Sequence, residues 1–230
     1  MLQAVKNGKT GHSINDKEVF WRKLFKGSED SLTSSIFERL FYLPENLLWK
    51  ILRDSINQTD VFNPEDQQLS EFEFWPHWDA AETNNRYFVE PDVFISTQDF
   101  DLIIEAKRKG AGQYVEQWES EIKSYRKVYS TYKKVFLLAL EGNWNHSVQI
   151  VEGVPILKCE WQSMLDSIDT LLFNKSYQIE DCQKRILLDI VSAFEVHGFI
   201  KCEWFEQMKL THDALNIDAG INIISEWKID

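Results

Sequence analysis

The segment VEPDVFISTQDFDLIIEAKRKG, residues 89–110, places Asp92, Glu105 and Lys107 among residues suited to burial. Glu105 and Lys107 are two apart on one expected strand, so their side chains share a face. Twelve residues separate Asp92 from Glu105. A turn near Thr97–Asp99 lets hairpin pairing bring the two acids together. Two carboxylates without partners are costly to bury. One solution is a buried salt bridge to Lys107, in which desolvation offsets much of the Coulomb gain. The other is a hard cation. Magnesium takes one or two carboxylates, backbone oxygen, water and substrate phosphate. Bound water then becomes a nucleophile, and the lysine steadies the growing negative charge. These residue types fit metal-assisted phosphodiester hydrolysis. No Ser/His pair sits at a nucleophile elbow, and no Gly-rich phosphate loop is present.

The elements that must position these groups follow from periodicity. A helix is expected from about Asp30, capped by Ser31 or Thr33, with Ile36, Phe37, Leu40 and Phe41 at helical spacing. A second helix covers 45–56. Strands are expected over 71–78, where Pro76 ends the pattern, over 86–96, and over 100–107, where Leu102, Ile103 and Ile104 suit a central strand. A helix over 112–130 carries Tyr114, Trp118, Ile122, Tyr125 and Tyr129 on one face and Gln113, Gln117 and Glu121 on the adjacent stripe. Strands follow at 134–140 and 148–157, then helices at 161–173 and 180–197. The fold class is therefore α/β (α+β), with a mixed central sheet of four to five strands flanked by helices. Residues 1–29 read as a flexible arm with an N-terminal helix, 30–175 as the core, and 176–230 as a mostly helical extension packed on it.

Pro91–Asp92, the spacer and Glu105–Ala106–Lys107 resemble the motif of the PD-(D/E)XK nuclease superfamily, over about residues 30–158. The resemblance implies a restriction-endonuclease-like core in a small prokaryotic protein. It implies Asp92 and Glu105 as metal ligands, the Ala106 carbonyl as a third, and Lys107 as the catalytic lysine. Glu38, in SSIFERLFYL, matches the family's first-helix glutamate as a further ligand. Gln117 matches its glutamine on the helix after the lysine strand, with Gln113 one turn earlier and Tyr125 completing that face. The implied cofactor is Mg²⁺, with Mn²⁺ able to substitute. The implied activity is endonucleolytic cleavage, of DNA rather than RNA, in restriction, phage defence or mobile-element processing. The alternative is a nuclease-fold subunit that binds nucleic acid or a partner protein and cuts weakly, not at all, or only within a larger complex.

Composition bounds these readings. Of 230 residues, 43% are hydrophobic and 13% aromatic, enough for a packed core. No apolar run reaches a membrane span, and the N-terminus lacks a signal-peptide core, so a soluble cytoplasmic protein is expected. Cys159, Cys182 and Cys202 are read as reduced thiols. The net charge of −12 argues against broad phosphate binding. From residue 180 onward acids outnumber bases ten to five, so much of the excess is C-terminal. Nucleic-acid contacts are assigned to Arg108, Lys109, Gln113 and Gln117, and a homo-oligomer or a partner protein is expected to supply more. Lys123, Arg126 and Lys127 are read as a solvated face, with Glu121 paired to Lys123 or Arg126. Asp99 and Asp101 are read as turn acids. Phe72, Phe74, Trp75 and Trp78 are assigned to packing. His77, His146, His197 and His212 receive no role.

Overall fold

A computed structural model describes residues 4–5, 7, 13–14, 17–18, 20–56, 60–64, 67–80, 83, 87–129, 133–142, 147, 149–174 and 176–200. Cys202, His146, His212, Arg86 and the end of the C-terminal extension lie outside them. Helices are α1 (Trp21–Gly27), α2 (Glu29–Leu40), α3 (Glu45–Ser55), α4 (Val115–Tyr129), α5 (Trp161–Phe173) and α6 (Asp181–His197). Strands are β1 (Ser13–Ile14), β2 (Lys17–Glu18), β3 (Leu69–Phe74), β4 (Trp78–Asp79), β5 (Phe88–Val89), β6 (Val93–Thr97), β7 (Phe100–Ala106), β8 (Lys134–Leu140), β9 (Gln149–Val151) and β10 (Val154–Cys159).

The central sheet has six strands in the order β3-β6-β7-β8-β10-β9, one more than the upper end of the expected range. Expected strand 148–157 divides into a hairpin, β9–β10, turning at Glu152–Gly153, where both residues have positive φ. Expected strand 86–96 divides too, into β5 and β6, because Pro91 interrupts it. β3, β6 and β7 are antiparallel neighbours, whereas β7, β8 and β10 run parallel. The β7–α4–β8 crossover joins the two halves and makes the sheet mixed. Ser28, not Ser31 or Thr33, caps α2. Its side chain accepts from the Ser31 N–H at 3.1 Å, so α2 starts at Glu29.

Alternation along the strands divides the interior in two. Val93, Ile95, Leu102, Ile104, Ala106 and Leu138 point to the face covered by α2, α3, α5 and α6, against Phe37, Leu48, Trp161 and Phe194. Phe94, Ile103, Leu137, Ala139 and Ile156 point to the face covered by α4, against Trp118, Ile122 and Tyr125. The α4 face is the one that carries the polar residues of β7.

One of those polar residues corrects the expectation. Asp101 is not a turn acid. β7 begins at Phe100, so Asp101 lies inside the sheet and is 1% exposed. Its carboxylate accepts from the Tyr125 hydroxyl at 2.6 Å, from Ser96 Oγ at 2.7 Å and from Lys133 Nζ at 3.3 Å. This cluster ties α4 to the β6–β7 hairpin and uses Tyr125 for structure. No helix among the described residues is long and apolar enough to cross a membrane.

Removing Asp101 leaves Tyr125 and part-exposed Lys133 without their acceptor. Asp101→Ala should cost roughly 2–4 kcal/mol, and Tyr125→Phe about 1–2 kcal/mol. Urea denaturation measures both. A loss below 0.5 kcal/mol for Asp101→Ala, on the order of a neutral surface change, would contradict the cluster's role.

Candidate active site

Asp92 stands one residue before β6, and its neighbour Val93 pairs with Ile104. Continuing the register sets Asp92 opposite Glu105, as the hairpin reading expected. Two backbone contacts hold it there. Its carbonyl accepts the Trp75 N–H at 3.1 Å, as the chain leaves β3 in a left-handed conformation at Trp75 (φ 49°). Its Oδ2 accepts the Ala106 N–H at 2.8 Å. Ala106 therefore orients Asp92 through its N–H, while its methyl group enters the core on the other face.

Glu105 is 2% exposed on the α4 face of β7. Its Oε1 accepts from Lys107 Nζ, and the Gln117 side chain also hydrogen-bonds to its carboxylate. Lys107, half-buried, lies where β7 ends. Its N–H is bound to the Leu140 carbonyl at 2.9 Å and its carbonyl accepts the indole N–H of buried Trp161, also at 2.9 Å. Asp92, Glu105, Lys107 and Gln117 are thus brought together.

Other expected residues sit elsewhere. Glu38 is exposed and lines a cleft of about 290 Å³ with Arg39, Tyr42, Arg185, Ile186 and Asp189. The helix acid that reaches Lys107 is Glu29. Its Oε1 lies 3.6 Å from Lys107 Nζ and its Oε2 accepts the Arg108 N–H at 2.7 Å. Nine residues separate Glu29 from Glu38, which is half a revolution and about 13 Å along α2. The two acids cannot serve one point. Gln113 is committed to backbone. Its amide donates to the Glu105 and Leu140 carbonyls at 3.0 and 3.3 Å and accepts the Trp118 indole N–H at 2.9 Å. It closes the strand ends beneath the site and has no amide proton or oxygen pointing away from them. The segment before α4 lies close to Gly142 (φ 73°), where a Cβ would stand 2.5 Å from the Ala111 carbonyl. Arg108 and Lys109 have exposed side chains beside the cluster.

Glu121 was expected on the surface and is fully buried. It follows Gln117 by one turn of α4, and its carboxyl meets that of Glu105. The α4 stripe Gln117–Glu121–Tyr125 overlies the polar face of β7. Their spacing of four residues each was a visible signal; the polar character of the strand beneath was not. Lys123 pairs with Glu119 and Glu152, Arg126 with Glu152, and Lys127 with Asp79. These cations are engaged by surface acids and not by Glu121.

Three buried acids beside one ammonium group are short of positive charge. Burial pushes the Asp92 carboxyl up to about 7, and the neighbouring Glu105 charge adds to the rise against the Ala106 N–H and Lys107. Burial raises Glu105 as well, with Lys107 opposing. Burial and then Glu105 hold Glu121 well above the usual carboxylate range. The site is consequently a place where a proton or a cation is strongly favoured. Among the described residues no group of three or more His, Cys, Asp and Glu side chains converges on one metal position. The two opposed carboxylates, Asp92 and Glu105, suit a cation that completes its shell with backbone oxygen, water and phosphate.

The chain is 30% identical over 252 aligned positions to Uncharacterized protein PM0110 of Pasteurella multocida (strain Pm70), covering 99% of this chain and 92% of that relative. No family model and no solved structure matches.

The folded Asp92 keeps a proton that the unfolded chain releases near pH 4. The stability from this group is full below that pH and is lost as the pH rises through about 7. Without divalent cations, the melting temperature should therefore fall between pH 5 and pH 8. Asp92→Asn should flatten that fall and melt higher than the wild type at pH 8. Identical pH profiles for the two proteins would contradict the assignment.

Proposed function

The chain belongs to the same family as the Pasteurella multocida protein, and we propose that it is a metal-dependent nuclease of PD-(D/E)XK type, with a restriction-endonuclease-like core. The observation that carries this reading is the meeting of Asp92 and Glu105 across the β6–β7 hairpin, with Lys107 on the same face and too little positive charge for the acids. The order of antiparallel hairpin, crossover helix and parallel strand supports it.

Asp92 and Glu105 would hold a Mg²⁺ ion, with the Ala106 carbonyl as a further ligand and Mn²⁺ as a substitute. The bound ion supplies a water of lowered pKa and a partner for phosphate oxygens. The residues do the positioning. Asp92 is fixed by Ala106 and Trp75, and Glu105 by Gln117. Lys107, released from Glu105, can present its ammonium group to the attacked phosphate and stabilise its negative charge. Its backbone is pinned at both N–H and carbonyl, so only the side chain needs to move. Arg108 and Lys109, directly beyond Lys107, would approach the phosphodiester backbone. DNA is the favoured substrate.

A second reading has its own observation. The cations of α4 are ion-paired to Glu119, Glu152 and Asp79, which leaves little basic surface on that helix. On this reading a second copy or a partner protein supplies the nucleic-acid surface, and the chain cuts only inside the assembly.

Incubation with linear, circular and single-stranded DNA tests both. Mg²⁺ should support cleavage and EDTA abolish it. Asp92→Ala and Lys107→Ala should each lower the rate by about 10²–10³-fold. Cleavage that survives either substitution would overturn the proposal. Activity that appears only above a threshold protein concentration, together with a change in mass by light scattering, would select the assembly reading.

A further inference from the structure

Glu121 is the one acid of the cluster that solvent does not reach, and neither of its oxygens has an N–H or O–H donor among the described residues. Unsatisfied buried groups in folded proteins are rare enough to need a reason. Its carboxyl is in contact with Glu105, and Asp92 adds repulsion. Lys107 sits on Glu105, while Lys123 and Arg126 turn to Glu119 and Glu152. Two carboxyl groups in contact cannot both remain ionised in a dry interior, so something positive must lie between them. A divalent ion there would have to shed its water with no solvent face, which Mg²⁺ does reluctantly. No third His, Cys, Asp or Glu joins the pair. A shared proton meets every constraint.

We infer that Glu121 is a positioning residue that, as a neutral carboxylic acid, donates its O–H to Glu105 and holds that carboxylate from the helix side. Gln117 grips the same carboxylate one turn earlier, so two successive turns of α4 fix it. Glu105 Oε1 is left on the Lys107 side, facing the metal position. The consequence for metal binding rests on the nuclease reading above. Glu121 acts through Glu105, as partners behind a metal ligand do when they set its orientation.

The discriminating variants are Glu121→Gln, which keeps shape and donor, and Glu121→Met, which keeps size and removes the donor. Infrared difference spectra of the metal-free full chain, wild type minus Glu121→Gln, should contain a carboxylic-acid carbonyl band near neutral pH. Its absence overturns the inference with no metal involved. Mn²⁺ titration followed by electron paramagnetic resonance gives the second readout, with circular dichroism verifying that each variant is folded. Glu121→Gln should bind Mn²⁺ within about threefold of wild type, and Glu121→Met about 10–100-fold more weakly. Equal losses in both variants would make Glu121 a charged ligand, and no loss in either would make it only a packing residue; each outcome overturns the inference. An infrared band in a wild type that binds no Mn²⁺ sinks the nuclease reading and leaves the Glu105–Glu121 hydrogen bond standing.

Discussion

The shortage of positive charge around Glu105 is the constraint on which the rest of this structure depends. Asp92, Glu105 and Glu121 are buried together, and Lys107 with partial support from solvent is the single cation among them. A fold that depended only on stability would gain from apolar residues at these positions, because buried ion pairs recover little of their desolvation cost. The polar face of β7 is instead built at both ends. Asp101 at one end is satisfied by a hydroxyl pair and Lys133. Glu105 at the other is left with more negative charge than its surroundings neutralise. The contrast between the ends of one strand marks where a cation belongs.

Everything near that point is rigid except the groups that chemistry would move. The register of β6 and β7 sets the acids opposite each other. Gln113 seals the ends of β7 and β8, and Trp161 fastens the Lys107 carbonyl from the opposite face of the sheet. The two helix layers therefore serve different ends. The α2, α3, α5 and α6 side supplies most of the apolar burial. The α4 side supplies fewer apolar residues and lends Gln117 and Glu121 to the strand beneath. Glu29, at the first turn of α2, reaches the strand end from the first layer and shares Lys107.

That sharing gives Lys107 two alternative carboxylate partners. In the cation-free protein it neutralises Glu105. When Glu105 is otherwise engaged, Glu29 remains within 3.6 Å, and its hold on the Arg108 N–H keeps it in place. Two carboxylates favour the charged form of the lysine in either position, against the burial that disfavours it.

The sequence alone determined the parts of the site that depend on local geometry. Asp92, Glu105 and Lys107 are joined by one hairpin, and alternation along a strand is enough to place them on one face. The helices and most strands were legible for the same reason, since each carries its own periodicity, although Pro91 and the Glu152–Gly153 turn divided segments that read as single strands. Only the tertiary structure decided which helix acid is near Lys107, because Glu29 and Glu38 are both on α2 and the choice rests on how that helix is rotated and where Ser28 starts it. It also decided the fates of Asp101 and Glu121. Both are acids in amphipathic segments, where a polar residue is ordinarily turned to water. Here the polar stripe of α4 faces the polar face of β7, and two polar surfaces packed against each other leave no trace in the periodicity of either.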